Sequence, residues 1–485
     1  MTLLNIKNQQ TMTLSKEYPT YYPHPGWAEQ EAGDWIDACA SLMQELLRKV
    51  KFHPKDIAAI GLSGVTHNPV LLDRKKNLLG RVIHLTDTRS HKQASFLRDK
   101  ANELILNRGL NNIDAMWTIA MLLWIYEHDR SLWDRIYKVI FPKDYIRYRL
   151  TGTILTDEVD AEGTLLFDPI KKRWDPELCS LIGLDMDKLP DIYNPLEIIG
   201  AVTEEGAGWS NLHVGTPVIA GTTDTLLEVF VAGSLKPGDC TVKLATFGRI
   251  CVITDKPCYG KGLINYSFIK KGLFYPGTGT RSFATSFRWL RDEFFKDLGS
   301  KKDPFKDMDD LAKNIKAGSD GLIFHPYLQG EGSPYVDPHL RGDFLGISLS
   351  HKRDHFAKAV LEGTCFSLLD CLHFLKENNI GINMPLRFIG GGTKSRLWTQ
   401  ILADILGSDA IVPKATDPSI GGALLAGVAT GIYGSLEEAQ SVNNYAAREI
   451  EFDSQNHKIY LRSFEIYKKS AEVLREINHL ISNQY

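Results

Sequence analysis

Leu386-Arg-Phe-Ile-Gly-Gly-Gly-Thr-Lys-Ser-Arg-Leu-Trp-Thr-Gln-Ile-Leu-Ala-Asp-Ile-Leu-Gly407 sets a short apolar strand, a glycine cluster and a helix in succession. Leu386–Ile389 has the length and β-character of a buried strand. From Ser395 to Leu406, Trp398, Ile401, Leu402 and Ile405 fall at i, i+3, i+4 and i+7, which is one apolar helical face, and Gly407 supplies the stop. Ile57–Leu62, Thr216–Ala220 and Cys240–Leu244 are further strand candidates, with Ile250–Ile253 following the last. Strands alternating with stretches of helical period predict layered α/β structure.

The chain has 485 residues, 43% hydrophobic and 24% charged, more than one core accommodates, because single cores stop growing near roughly 250–300 residues. Two domains are expected, residues 1–234 and 235–485, with the turn Gly233–Gly238 as the crossing because Pro237 and Gly238 punctuate it. Lys301–Pro304 reads as a surface loop of the second domain. Lys and Arg number 56 against 59 Asp and Glu, without a basic block, so neither nucleic acid nor an anionic membrane is an expected partner. Seven scattered cysteines without a CxxC pair argue against a disulfide framework and a zinc site. No run approaches the roughly 18 apolar residues of a membrane span, and Met1–Gln10 lacks a signal-peptide core; a cytoplasmic protein is expected.

Several stretches could carry chemistry. Gly390, Gly391 and Gly392 let backbone approach a bulky ligand, and the helix after Ser395 offers free N–H groups to a nucleotide; the alternative is a tight αβ turn. Neither a P-loop nor a dinucleotide GxGxxG is formed, since Thr393 separates Gly392 from Lys394. Val218-Ile-Ala-Gly-Thr-Thr-Asp224 delivers a carboxylate to the carboxyl end of a strand, where ligands sit in α/β sheets, so Asp224 is a candidate base. Capping a helix Thr225–Ala232 is the competing role. Thr246 and Gly248 lie in a Thr/Gly turn that could present N–H groups to a phosphate, or be an ordinary β-turn. His67, after the strand Ile57–Leu62, could donate to a substrate hydroxyl, although a lone histidine is more often structural. Asp87 and Arg89 could grip a polyol, or be a solvated turn.

Taken in order, these stretches resemble the FGGY carbohydrate kinases of the sugar kinase/actin superfamily, from about Tyr18 to nearly the end. Gly26-Trp-Ala-Glu-Gln30 is similar to the family's GW-x-EQ opening, Gly64-Val-Thr-His67 to its substrate-side segment, and Pro142–Gly152 to its PKDYLRYRLTG stretch. Thr156–Asp168 is equally close, and Tyr327–Pro334 resembles the xylulokinase version. The resemblance implies two actin-like, ribonuclease H-like domains around a central cleft, with sugar held by the first and ATP by the second. It implies a base at Asp224, sugar contacts at Thr66, His67, Asp87, Arg89 and Asp224, and ATP contacts at Thr246, Gly248, Gly390, Gly391, Gly392, Ser395 and Gln400. Mg2+ accompanies ATP, with no protein ligand assigned. The implied reaction is phosphorylation of a small sugar, a ketopentose such as D-xylulose, with ribulose, gluconate or a polyol as alternatives, and a homodimer is left open.

The sequence departs from the family in places. Thr222-Thr223 replaces Gly-Gly before the base, Ala245-Thr-Phe-Gly248 replaces LGTSG, Val65-Thr66-His67 replaces QMH, and Leu85 stands where xylulokinases usually have Trp. Family members open with an Asp-x-Gly-Thr phosphate hairpin; the first aspartate here is Asp34, and that motif does not occur. The expectation is either a natural chain that extends upstream or a catalytically impaired sugar- or nucleotide-binding relative.

Overall fold

The computed structural model describes residues 1–298, 303–442 and 446–484. The chain forms two units: Met1–Val231 with Tyr266–Gly272 and Asp417–Asn443, and Ala232–Asn265 with Leu273–Thr416 and Asn444–Tyr485. The boundary expected at 234/235 lies near the first crossing, but the chain returns to the first unit twice beyond it. Close backbone approach accounts for the second return. The helix Pro418–Ala429 reaches the first unit through glycine, since a Cβ on Gly61 would lie 1.9 Å from the Gly422 carbonyl oxygen. A Cβ on Gly421 would lie 2.9 Å from Leu227 Cβ. Of the loop expected at Lys301–Pro304, residues 301 and 302 lie outside the described residues; Pro304 opens a helix, Pro304–Ala312, capped by Asp303, whose Oδ1 accepts from Lys306 N at 3.1 Å.

In the first unit, the elements that matter for the site are β1 (Ser63–Gly64), α1 (Pro142–Thr151), β2 (Leu155–Asp157), α2 (Glu158–Glu162), β3 (Pro217–Ile219), β4 (Thr222–Thr223) and α3 (Asp224–Val231). The strand expected over Ile57–Leu62 is a single bridge, Ile60 to Val218, and regular pairing starts only at β1. Gly221 is the cause. At φ +71° it bends the partner between β3 and β4, and a Cβ there would lie 2.4 Å from the Leu62 carbonyl oxygen, so the ladder cannot run straight through. Past the bend, β1 and β4 pair in parallel with Thr222 opposite Ser63 and Thr223 opposite Gly64.

The second unit is built on a six-stranded sheet. Its strands are β5 (Cys240–Leu244), β6 (Gly248–Val252), β7 (Gly277–Thr280), β8 (Leu386–Ile389), β9 (Ala410–Pro413) and β10 (Ala446–Ile450), in spatial order β7-β6-β5-β8-β9-β10. β5, β8 and β9 run parallel; β6 and β10 run antiparallel to their neighbours. The strands β5 and β8 stand as the sequence predicts. So does the helix after the glycine cluster, α6 (Arg396–Leu406), after α4 (Ala284–Phe294) and α5 (Arg353–Glu377). Trp398, Ile401, Leu402 and Ile405 are all buried, each worth about 1.5–3 kcal/mol of transfer for a Leu or Ile side chain, and Trp398 stacks on Phe283 with centroids 4.7 Å apart. Gly407 takes φ +62° and ends the helix. α5 is buried nearly all round from Ala357 to Leu372, as expected of a helix at the centre of a core. α7 (Ser454–Gln484) follows β10. All seven cysteines are free thiols.

Candidate functional site

The parallel register of β1 and β4 sets the geometry of the first unit. Asp224 follows Thr223, and Val65, Thr66 and His67 follow Gly64, so the two segments leave the sheet side by side at its carboxyl edge. That edge is where α/β sheets place ligands. Asp224 is partly exposed, and it is the first residue of α3 rather than a residue before it. Its Oδ1 accepts from Thr225 N at 2.6 Å and Thr225 Oγ1 at 3.3 Å, on the next residue, not from the N–H two or three residues on that a capping carboxylate takes. Burial, followed by the neighbouring Cys39 and Asp224, raises the Tyr18 phenol, which places Tyr18 in the field of this carboxylate.

A buried ion cluster stands behind this edge. Pro142 opens α1 and Gly152 ends it at φ +75°, and between them Lys143, Asp144 and Arg147 are buried. Lys143 Nζ lies 2.5 Å from Asp144, 2.6 Å from Asp157 and 2.7 Å from Asp160. Arg147 donates to Asp144 at 2.8 Å, to the Ala220 carbonyl at 2.5 Å, and to the Leu155 carbonyl. Burial alone would lower the Lys143 ammonium, but the three carboxylates outweigh it and hold the group charged. Two cations face three carboxylates, and burial raises Asp160 against the pull of Lys143, so a proton held there balances the cluster. Thr222 Oγ1 donates to Asp157 at 3.0 Å, which ties β4, and hence the turn into Asp224, to the cluster. A Cβ on Gly64 would lie 2.9 Å from Lys143 Cβ, so glycine is needed there.

His67 is buried at φ +74°, a strained conformation for a non-glycine residue costing about 1–3 kcal/mol. Its Nδ1 lies 2.8 Å from the Gly163 carbonyl, its Nε2 lies 2.9 Å from the Tyr266 hydroxyl, and Trp117 meets the ring edge-on at 4.7 Å. The Thr66 hydroxyl and both amide atoms of Asn68 are buried without a protein partner among the described residues, polar capacity that a polyol could use. Glu162, beside Gly163, accepts from Ser267 N at 2.7 Å, and burial pushes its carboxyl up to about 8. Tyr266 and Ser267 belong to the segment that returns to this unit from beyond residue 231.

Asp87 and Arg89 form a different group. Asp87 is buried and accepts from Ala28 N at 2.6 Å; Arg89 donates to Asp87 at 2.9 and 2.7 Å and to Glu29 at 2.7 Å, with its guanidinium 3.6 Å over Trp27. Only 4% of the Arg89 side chain is exposed, so the pair is not the solvated turn considered from sequence.

In the second unit, the parallel pairing of β5 with β8 brings the hairpin and the glycine turn together. Gly390 has φ +91°, and a Cβ on it would lie 2.6 Å from the Leu244 carbonyl oxygen; on Gly392 it would lie 2.8 Å from Leu244 Cβ. A Cβ on Gly391 would meet nothing, so this is the face open to a ligand. Thr246 is exposed at the hairpin tip beside Phe247, and its carbonyl accepts from Phe283 N at 3.2 Å at the start of α4. Gly248 is buried, where a Cβ would meet Phe283 and Thr280 at 2.9 Å. Ser395 caps α6 by accepting from Trp398 N at 2.9 Å. Gln400 donates to Asp404 at 2.8 Å and to the Glu451 carbonyl at 2.9 Å, which commits its amide N–H groups to the fold. Arg448 donates to the Thr393 carbonyl at 2.9 Å, and burial and the neighbouring Arg396 lower it. Asp309 faces Ser395, and burial pushes its carboxyl up to about 6.

Sequence reasoning missed Lys143, Asp157, Asp160, Glu162, Trp117, Tyr266, Asp309 and Arg448. Nothing local marks them as neighbours of the expected residues. Among the described residues, no group of three or more His, Cys, Asp or Glu side chains could hold a metal ion, and no helix is long and apolar enough to cross a membrane.

Residues 1–231 match the N-terminal domain of the FGGY family of carbohydrate kinases, and residues 250–430 match its C-terminal domain. A xylulose kinase of Bacillus subtilis (strain 168) is 30% identical over 479 residues, 98% of this chain and 95% of that protein. A solved structure of a xyloylose kinase from Brucella ovis superposes with a TM-score of 0.88 at 28% identity, covering 98% of this chain and 97% of the other. A gluconate kinase structure from Lactobacillus acidophilus also reaches a TM-score of 0.88, at 26% identity, covering 96% of this chain and 94% of the other.

Proposed function

The chain belongs to the FGGY family of carbohydrate kinases, and on that footing we propose that it transfers the γ-phosphoryl group of ATP to a hydroxyl of a ketopentose such as D-xylulose, with Asp224 as general base. One observation carries this reading: the β1–β4 register that sets Asp224 beside Thr66 and His67 at a carboxyl sheet edge. Support for the sugar class comes from the xylulose kinases among the similar proteins, while the gluconate kinase keeps an aldonate as the competing substrate.

In the proposed reaction a sugar hydroxyl bound by Thr66, on the segment that His67 holds in place, gives its proton to the Asp224 carboxylate as its oxygen attacks the γ-phosphorus. The bond from that phosphorus to the bridging oxygen breaks, and ADP leaves. Thr225 N–H holds one carboxylate oxygen and so orients the other. Arg89 spends Nε and Nη2 on Asp87 and Glu29, which leaves Nη1 for a polyol hydroxyl, and Asp87 fixes that guanidinium in place. On the nucleotide side, Thr246 and Gly248 present the hairpin to phosphate, and Gly390, Gly391 and Gly392 with Ser395 admit the nucleotide backbone-close, where no Cβ intervenes. Gln400 contributes its amide oxygen. Mg2+ arrives on the phosphates of ATP, the usual mode for an ion that keeps most of its water.

A coupled ADP-release assay over pentuloses, polyols and aldonates tests the reading. Ketopentoses are expected to turn over best, and faster turnover of an aldonate would displace them. Asp224→Asn is expected to lower kcat by about 10²–10⁴-fold with sugar affinity changed much less; undiminished turnover would remove Asp224 from the role of base.

A further inference from the structure

In the sheet order β8-β9-β10, Arg448 of β10 reaches past β9 to the glycine turn that follows β8. Its Nη2 donates to the Thr393 carbonyl at 2.9 Å and to Thr399 Oγ1 at 2.9 Å. Thr393 closes the turn, since its N–H and its hydroxyl both return to the Gly390 carbonyl, at 3.1 and 2.7 Å. Thr399 lies in the first turn of α6, and its hydroxyl donates to the Ser395 carbonyl at 3.0 Å. One guanidinium nitrogen therefore ties the end of the glycine turn to the start of α6, on either side of Ser395. Gly390, Gly391 and Gly392 bring no side chain to hold the turn, and glycine has the greatest backbone freedom of any residue, so a clamp has to come from outside the segment.

A guanidinium is a costly clamp at this place. Arg448 is partly buried, it makes no ion pair among the described residues, and its Nε is buried without a hydrogen-bond partner. Burial and the like charge of Arg396 both lower it. A neutral donor could satisfy Thr393 and Thr399 without that charge. A cation left uncompensated beside a turn that admits a nucleotide has its natural counter-charge in the polyphosphate. We propose that Arg448 is a positioning residue for the nucleotide: through Thr393 and Thr399 it holds residues 390–395 in the shape that ATP binds, and it lends that turn a positive field. The proposal rests on the ATP-dependent reaction proposed above.

Steady-state kinetics of the full chain with ATP varied test the role. Arg448→Met is expected to raise the KM for ATP about tenfold, with the KM for sugar and kcat close to the parent values. Arg448→Lys is expected to rescue only part of that rise, because an ammonium lacks the fixed planar geometry of the guanidinium. Thr399→Val removes one acceptor; it is expected to raise the KM for ATP by less, and to add little to Arg448→Met, since the two changes break a shared contact. An unchanged KM for ATP in Arg448→Met overturns the proposal, as does a lowered Tm without that rise, or full additivity of the two changes. Should Arg448→Met lose its cooperative melting transition, Arg448→Lys and Thr399→Val decide by the same split between the two KM values. Titration with Mg-ADP, which needs no turnover, separates this role from the reaction. Affinity about tenfold weaker in Arg448→Met than in the parent upholds the positioning role even if no sugar is phosphorylated; equal affinity, or a parent that binds no ADP, overturns it.

Discussion

The Tyr266 hydroxyl lies 2.9 Å from His67 Nε2, a hydrogen bond between residues 199 apart in the chain. It comes from the first return of the chain to the first unit, and it holds the imidazole together with the Gly163 carbonyl on Nδ1. Both ring nitrogens are thereby engaged, and the strained backbone at His67 is kept in place by its surroundings. Tyr266→Phe removes this hydrogen bond from a buried nitrogen at a cost of about 1–3 kcal/mol. The expected kinetic result is a raised KM for sugar with the KM for ATP unchanged; an unmoved sugar KM would separate His67 from the sugar site.

Removing Lys143 has a larger effect. Its ammonium is shared by Asp144, Asp157 and Asp160, all fully buried, so Lys143→Met leaves uncompensated carboxylates behind the turn that carries Asp224. Breaking a buried ion network in this way costs about 3–5 kcal/mol. Urea denaturation at pH 7 is expected to show that loss, with kcat reduced in the folded fraction because Thr222 loses a fixed partner in Asp157. A midpoint equal to the parent's would mean that the cluster is held by its remaining hydrogen bonds alone.

Glu162 makes stability fall with pH. Its carboxyl is raised by burial from an ordinary 4.5 to about 8, so the folded protein keeps the proton over a range in which the unfolded chain has released it. Between about 4.5 and about 8 the unfolded state therefore binds fewer protons, and stability declines as pH rises. Glu331 and Glu362, pushed by burial up to about 7, act in the same direction. Thermal melting from pH 5 to pH 8.5 is expected to show a falling Tm, flattened in Glu162→Gln, which keeps an acceptor for Ser267 N. An equal slope in both proteins would assign the decline to the other carboxyls that burial raises, Glu331, Glu362, Asp160 and Asp309.

Gly390 and Gly391 separate folding from nucleotide binding. Gly390→Ala meets the Leu244 carbonyl at 2.6 Å in a left-handed conformation and is expected to lower Tm. Gly391→Ala meets no protein atom, so its Tm should stay at the parent value while its KM for ATP rises. An unchanged KM in Gly391→Ala would move the nucleotide away from this turn.

Much of the fold could be read locally. Leu386–Ile389, Cys240–Leu244 and the helix to Leu406 follow from apolar period, glycine stops and caps, signals contained in a dozen neighbouring residues. The order of Gly64–His67, Asp224, Thr246 and Gly390 along the chain likewise pointed to a sugar kinase. Ile57–Leu62 read as a strand for the same local reason and was wrong over most of its length, because the bend at Gly221 lies in its partner and not in itself.

The sequence by itself determined the strands Cys240–Leu244 and Leu386–Ile389, the helix that ends at Leu406 and the family, since local propensity and motif order are written in contiguous residues. Only the tertiary structure decided that Tyr266 closes on His67, that Lys143 gathers three aspartates behind Asp224, that Asp87 and Arg89 are a buried pair, and that Gly422 approaches Gly61. Each of those relationships joins segments through burial and close backbone approach, and their energies depend on a partner that no local window contains.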